Sequence, residues 1–117
     1  MTEEVFGDFT LRKIDDTPVV TLTGEVDISN VADFQRALAA APVEDLIVVD
    51  MSDVEFLDST ALAALVRFRN ASVARGGSVT LVIGSPLVRR VFDITNFDRD
   101  FKIVARLEDV PGLFPKA

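Results

Sequence analysis

The sequence contains neither cysteine nor histidine. Without them there is no thiolate nucleophile, no imidazole base and no typical zinc site. A serine-hydrolase triad would lack its base. Neither a G-x-G-x-x-G fingerprint nor a P-loop lysine motif is present, and Gly76-Gly77, between a helical and a strand-like segment, reads as a helix C-cap. No catalytic residue, cofactor or metal site is expected, and the chain does not read as an enzyme. Positive charge is also scarce: 12 Lys and Arg stand against 19 Asp and Glu, a net charge of -7. Such a surface repels phosphate backbones and anionic lipid, so direct binding to nucleic acid is not expected. Long apolar runs are missing as well. The longest, Ala61 to Val66, falls far short of the roughly 20 residues that cross a bilayer. The opening Met-Thr-Glu-Glu lacks the basic-then-apolar pattern of a secretory signal. The expected location is therefore the cytoplasm, without membrane insertion.

What is present is apolar residue in quantity, 49% of 117 residues, enough for one core and too little for two. Strand-like and helix-like segments take turns without a Pro/Gly/Ser-rich linker. Phe6 to Ile14 and Val19 to Thr23 are β-rich, and Asp15-Asp16-Thr17-Pro18 between them predicts the turn of an antiparallel hairpin. Gly24 to Asn30 reads as a loop. Val31, Phe34 and Leu38 recur at helical spacing, and that helix should stop before Pro42. Leu46-Ile47-Val48-Val49 predicts a central strand buried on both faces. A helix over Thr60 to Arg75, a buried strand over Val79 to Ile83, a helix over Leu87 to Ile94 and a last strand over Phe101 to Val104 follow. The fold class expected is α/β: a single domain over residues 1–117. Its mixed sheet has four or five strands, mostly parallel after the hairpin, with helices packed over it and an irregular tail over 109–117.

The strand Leu46 to Met51 is followed by Ser52-Asp53-Val54-Glu55-Phe56-Leu57-Asp58-Ser59-Thr60-Ala61-Leu62. This stretch resembles the signature of the STAS domain family, named for sulfate transporters and anti-sigma factor antagonists. Leu22-Thr23-Gly24-Glu25-Val26-Asp27 looks like the family's first signature loop, and Gly77, the next strand and Pro86-Leu87-Val88 fall where the family places corresponding elements. The resemblance covers about residues 5–107. It implies a stand-alone anti-sigma factor antagonist that captures an anti-sigma factor of the serine-kinase type, releasing the sigma factor, until phosphorylation ends the capture. Ser59 matches the phosphorylated serine. Asp58 directly precedes it, Asp27 matches a loop aspartate near the acceptor, and Thr60 and Ala61 complete the motif. A serine phosphatase is a further partner the resemblance suggests. The alternative is a non-phosphorylated STAS scaffold or regulatory subunit of a lipid-transport ATPase or a sensory assembly. The family usually has Gly where this chain has Ala61. The extra methyl favours helix by nearly 1 kcal/mol and is expected to crowd a kinase closing on the first turn. Asn96, where many relatives have Gly, is milder because Asn tolerates the left-handed conformation.

The same residues have plainer readings. Asp58, Ser59 and Thr60 stand at a strand–helix junction where side-chain oxygens satisfy free backbone N–H groups. Asp27 reads equally as a turn-former. A metal bound by the two aspartates is the weaker reading. Ala61, Ala63 and Ala64, bordered by Phe56 or Leu57, read either as a docking surface or as core.

Overall fold

The computed structural model describes residues 3–42 and 45–113. Among these residues nine helices and strands form in chain order: β1 (Glu4–Phe6), β2 (Phe9–Ile14), β3 (Thr17–Val26), α1 (Val31–Ala40), β4 (Leu46–Leu57), α2 (Ser59–Ala74), β5 (Ser78–Ile83), α3 (Pro86–Thr95) and β6 (Lys102–Val104). The strands form one sheet in the order β1-β2-β3-β4-β5-β6. β1, β2 and β3 pair antiparallel, whereas β3 to β6 run parallel. The fold is thus mixed α/β, with six strands rather than four or five. The extra strand arises because Gly7, at φ 60°, turns the chain, so that the predicted Phe6–Ile14 strand starts only at Phe9 and Glu4–Phe6, mostly ahead of the predicted segment, pairs back on it.

Local chemistry sets the element ends. The β2–β3 turn is two residues long, with Asp15 and Asp16 both at positive φ (47° and 67°), the handedness that a tight hairpin needs. Thr17 and Pro18, predicted to lie in the turn, are already in β3. Pro18 is tolerated there because pairing with β4 begins one residue later, at Val19–Val48. α2 ends in a Schellman arrangement: the Gly77 N–H donates to the Ser72 carbonyl and the Gly76 N–H to Val73, with Gly76 at φ 86°. α3 begins with Pro86 behind a Ser85 cap and ends at left-handed Asn96, φ 63°.

Strand alternation sorts the core into two layers. Val20 and Leu22 of β3, Val49 and Met51 of β4, and Leu81 and Ile83 of β5 pack with all three helices. Phe34 of α1 lies 5.8 Å from Phe9, and Phe92 of α3 meets Phe101 edge-on at 5.9 Å. The intervening residues Val19, Val48 and Val82 face the other way and are covered by Val110 and Leu113. The tail expected to be irregular from 109 onward is therefore packed as far as Leu113: a 3-10 turn over Leu107–Asp109 leads into it, and it closes the face that no helix covers. Residues 114–117 of that predicted tail lie outside the described residues.

Leu113 is fully buried, so Leu113→Ala should cost about 2–5 kcal/mol, the range for truncating a buried leucine. The exposed neighbour Pro111 should tolerate alanine to within about 0.5 kcal/mol. Urea unfolding of both variants checks this, and an unchanged midpoint for Leu113→Ala would refute the packed tail.

Candidate functional site

The parallel neighbours β3 and β4 end side by side, with Val26 opposite Leu57. β4 has one extra residue between the Thr21–Asp50 and Thr23–Asp53 pairs, and another between Gly24–Val54 and Glu25–Phe56. Bulges of this kind add twist and re-aim the strand end. They also explain why two predicted features differ. β4 runs on to Leu57 instead of ending near Met51, and the predicted Gly24–Asn30 loop shrinks to Asp27–Asn30. Each strand end leads into a helix, so the first turns of α1 and α2 start from the same pole of the sheet.

Asp58 joins them. Its Oδ1 accepts from the Ala61 N–H at 2.9 Å, capping α2, and its Oδ2 accepts from the Ile28 N–H at 3.0 Å, across a separation of 30 residues. Its own N–H donates to the Val26 carbonyl at 3.1 Å, extending the β3–β4 ladder by one step. On the other strand, Asp27 organises its loop: Oδ1 accepts from the Ser29 N–H (2.9 Å) and hydroxyl (2.5 Å), while the Asp27 carbonyl accepts from Val31 N–H at the start of α1. Asn30 locks the loop by accepting from the Asp27 N–H and donating to the Glu25 carbonyl. The Asp27 hydrogen bonds stay within this loop, and its link to the α2 junction runs through Ile28 and Asp58. The hydroxyl of Ser29, then its N–H, stabilise the carboxylate and hold the Asp27 pKa below its ordinary value, against a smaller opposing effect of burial.

Ser59, the first residue of α2, is exposed, and the cap of α2 is the Asp58 side chain. Of the three side chains the sequence offers for the cap, the Asp58 carboxylate takes the role and the Ser59 hydroxyl is left to solvent. Thr60 follows, half-buried. Ala61 is fully buried, as is Ala64, while Ala63 is exposed. The Ala61 methyl thus points into the core, which moves the expected crowding by this methyl away from the surface. Of the two residues expected to border the site, Leu57 is buried and Phe56 is 49% exposed. Sequence reasoning missed Ile28, 76% exposed in the loop that Asp58 holds. Its signal was an apolar residue among the turn-formers Asp27, Ser29 and Asn30.

Two outcomes follow from this geometry. Asp58→Ala removes both bonds and should cost about 1–2 kcal/mol, whereas Asp58→Asn keeps an acceptor for Ala61, loses the bond from Ile28 and should fall between. Denaturation midpoints and hydrogen exchange at the Ile28 amide measure this; an Ile28 amide equally protected in all three proteins would disprove the tie. The lowered Asp27 pKa means that the folded loop prefers the carboxylate. Its contribution to stability is present above the ordinary carboxylate pKa and is lost as pH falls through the lower folded value. Ser29→Ala should raise the Asp27 pKa toward its ordinary value in a carboxyl NMR titration, and an unshifted curve would contradict the assigned cause.

Comparison with known proteins agrees with this architecture. The sequence profile of the STAS domain matches residues 8–110. A STAS-domain containing protein of Pseudomonas aeruginosa is 31% identical over 85 residues, 72% of this chain and 84% of that protein. A Thermotoga maritima protein assigned provisionally as an anti-sigma factor antagonist is 30% identical over 98 residues, 81% of this chain and 87% of its own. The crystal structure of an anti-sigma factor antagonist from Mycobacterium paratuberculosis superposes with a TM-score of 0.79 at 28% identity, covering 86% of this chain and 87% of that one. With the matched profile spanning nearly all of the sheet, the three helices and the Asp58-Ser59 junction, the chain belongs to the STAS domain family.

Proposed function

We propose that the protein is an anti-sigma factor antagonist whose unphosphorylated form captures an anti-sigma serine kinase in the cytoplasm, and whose capture ends when Ser59 is phosphorylated. The observation that carries this reading is the division of labour at α2: Asp58 holds the helix cap and Ser59, next to it, is exposed with its hydroxyl outside the cap. A modification there leaves the fold's own hydrogen bonds in place. In the transfer, the Ser59 Oγ–H bond breaks, its proton goes to a base on the kinase, an Oγ–P bond forms to the γ-phosphorus of ATP, and ADP leaves. A serine phosphatase would hydrolyse the ester and restore the active form. The protein itself supplies an acceptor and a docking surface and performs no catalysis.

Charge explains why the product would separate. Phosphoserine brings about -1.5 to -2 charges beside Asp58 and opposite the ADP phosphates from which the group has just come. The free N–H groups of the first turn of α2 offset part of this. The remaining repulsion, with the water the group must shed in an interface, needs to reach ~2.7 kcal/mol for a hundredfold loss of affinity. No refolding is required.

Immobilised protein incubated with native lysate should retain the kinase, and peptide mapping after reaction of the purified pair with ATP should place phosphate on Ser59. Ser59→Ala should bind as wild type and melt within about 0.5 kcal/mol of it, because the cap is elsewhere. Ser59→Asp should weaken binding, incompletely, since it adds a single charge. Phosphate on Thr60, or equal binding by both variants in calorimetry, would sink the switch. Stable co-purification with a lipid-transport ATPase or sensory assembly without phosphate turnover would favour the scaffold role instead.

A further inference from the structure

A cavity of about 280 Å³ opens between the C-terminal halves of α1 and α2, over the start of β4. Leu38, Ala41, Ile47 and Phe68 give it an apolar wall, and Ser72 and Arg75 are the polar residues that line it. Phe68, Ser72 and Arg75 follow the i, i+4, i+7 spacing of one helix face, so the apolar and the polar groups of α2 share a side. At the C-terminal ends of the two helices the carbonyls are already occupied. Leu38 accepts from the Ala41 N–H, Ser72 from those of Arg75 and Gly77, and Val73 from that of Gly76. The donors are not. Ser72 is buried, and among the described residues neither its hydroxyl nor the Arg75 guanidinium has a hydrogen-bond or ion-pair partner. Both helices share the sign of Arg75. From Phe34 to Pro42 and from Ser59 to Gly77 the sequence carries Arg36, Arg67, Arg69 and Arg75 and no Asp or Glu, in a chain whose net charge is -7. The polar end of the cavity thus offers donors and positive charge.

From this we propose that the cavity binds a small amphipathic monocarboxylate, an acyl or aryl acid whose apolar body lies against Leu38, Ile47 and Phe68 and whose carboxylate meets Arg75 and the Ser72 hydroxyl. An apolar wall with a few convergent polar groups is the usual make-up of a ligand site, and this one is just below the roughly 300–1,000 Å³ such sites enclose. It therefore takes a small molecule and not a two-chain lipid. A carboxylate presents two oxygens to the planar fork of arginine, with the hydroxyl as a further donor. An amine of the same shape meets no acid among the lining residues, and a neutral alcohol leaves the guanidinium without a counter-charge. A phosphate monoester brings about -1.5 to -2 charges, more than one arginine balances. The site stands apart from the switch. Ser72 lies about 20 Å along α2 from Ser59 at 1.5 Å per residue, toward the end of the sheet where β4 begins, so the inference does not rest on the phosphorylation reading.

Amide NMR of the full chain titrated with octanoate should show shifts confined to residues 36–42, 46–48 and 68–77. Octanol, octylamine and octyl phosphate share the tail and should each bind about tenfold or more weakly, because the hydrogen bonds to a matched charge are lost. Arg75→Gln should weaken octanoate by about the same factor and leave octanol unchanged, and Arg75→Lys should restore part of the loss. Arg67→Gln, at an exposed position of α2 away from the cavity wall, should bind octanoate as wild type. Ala71→Leu places a larger side chain on the wall while keeping a good helix former, and it should abolish binding of every probe. Thermal melts establish that each variant is folded. Octanol or octylamine bound as tightly as octanoate, or octanoate binding indifferent to Arg75→Gln, overturns the proposal, and so do scattered shifts or none. Shifts of the same wall residues that grow with protein concentration in the absence of any probe show a second copy seated there and overturn it as well.

Discussion

The two oxygens of Asp58 carry the joint on which the candidate site depends. One satisfies the first turn of α2, and the other reaches the backbone of the loop that starts α1. Such bonds to backbone N–H groups are charge-assisted and stronger than neutral ones. They also relieve two different segments of an unpaired donor at once. Because the carboxylate is committed in this way, the neighbouring hydroxyl of Ser59 is free for another purpose. The Asp27–Asn30 loop is ordered by its own set of hydrogen bonds, and the Ile28–Asp58 contact fixes where that loop sits relative to α2.

The rest of the fold brings those two junctions together. β4 is long and doubly bulged, and it carries the chain from a fully buried middle to a polar end, where Glu55 and Phe56 are exposed and Asp58 is partly so. Its buried middle is sandwiched. Helices cover Val49 and Met51, and the C-terminal segment covers Val48 through Val110 and Leu113. Without that second layer the valines of three adjacent strands would face water, an apolar patch that a small domain seldom leaves open. Stability is thus concentrated in the sheet and its two covers, away from the Ser59 pole, which is free to be acidic, partly apolar and exposed.

That separation suits the proposed function: Ser59 is exposed and outside the cap held by Asp58, so a phosphate placed there would meet solvent or a partner before any core side chain. In the proposed switch, the roughly -1.5 to -2 charges of a phosphoserine would act on an interface and not on the core.

Sequence by itself determined the alternation of strands and helices and the place of the candidate site motif in it. Absent Cys and His remove whole classes of chemistry, apolar periodicity follows directly from the geometry of helix and strand, and Asp58-Ser59 sits at a strand–helix boundary marked by cap-forming residues. Tertiary structure alone decided which oxygen caps α2, that Leu57 and Ala61 turn inward while Phe56 and Ile28 stay outside, and that the tail closes the second face. It also decided that Gly7 begins a further strand pair. These outcomes depend on register and on contacts between residues far apart in the chain. A one-residue bulge in β4 flips which side chains face water, and the bond between Ile28 and Asp58 spans 30 positions that no local pattern encodes.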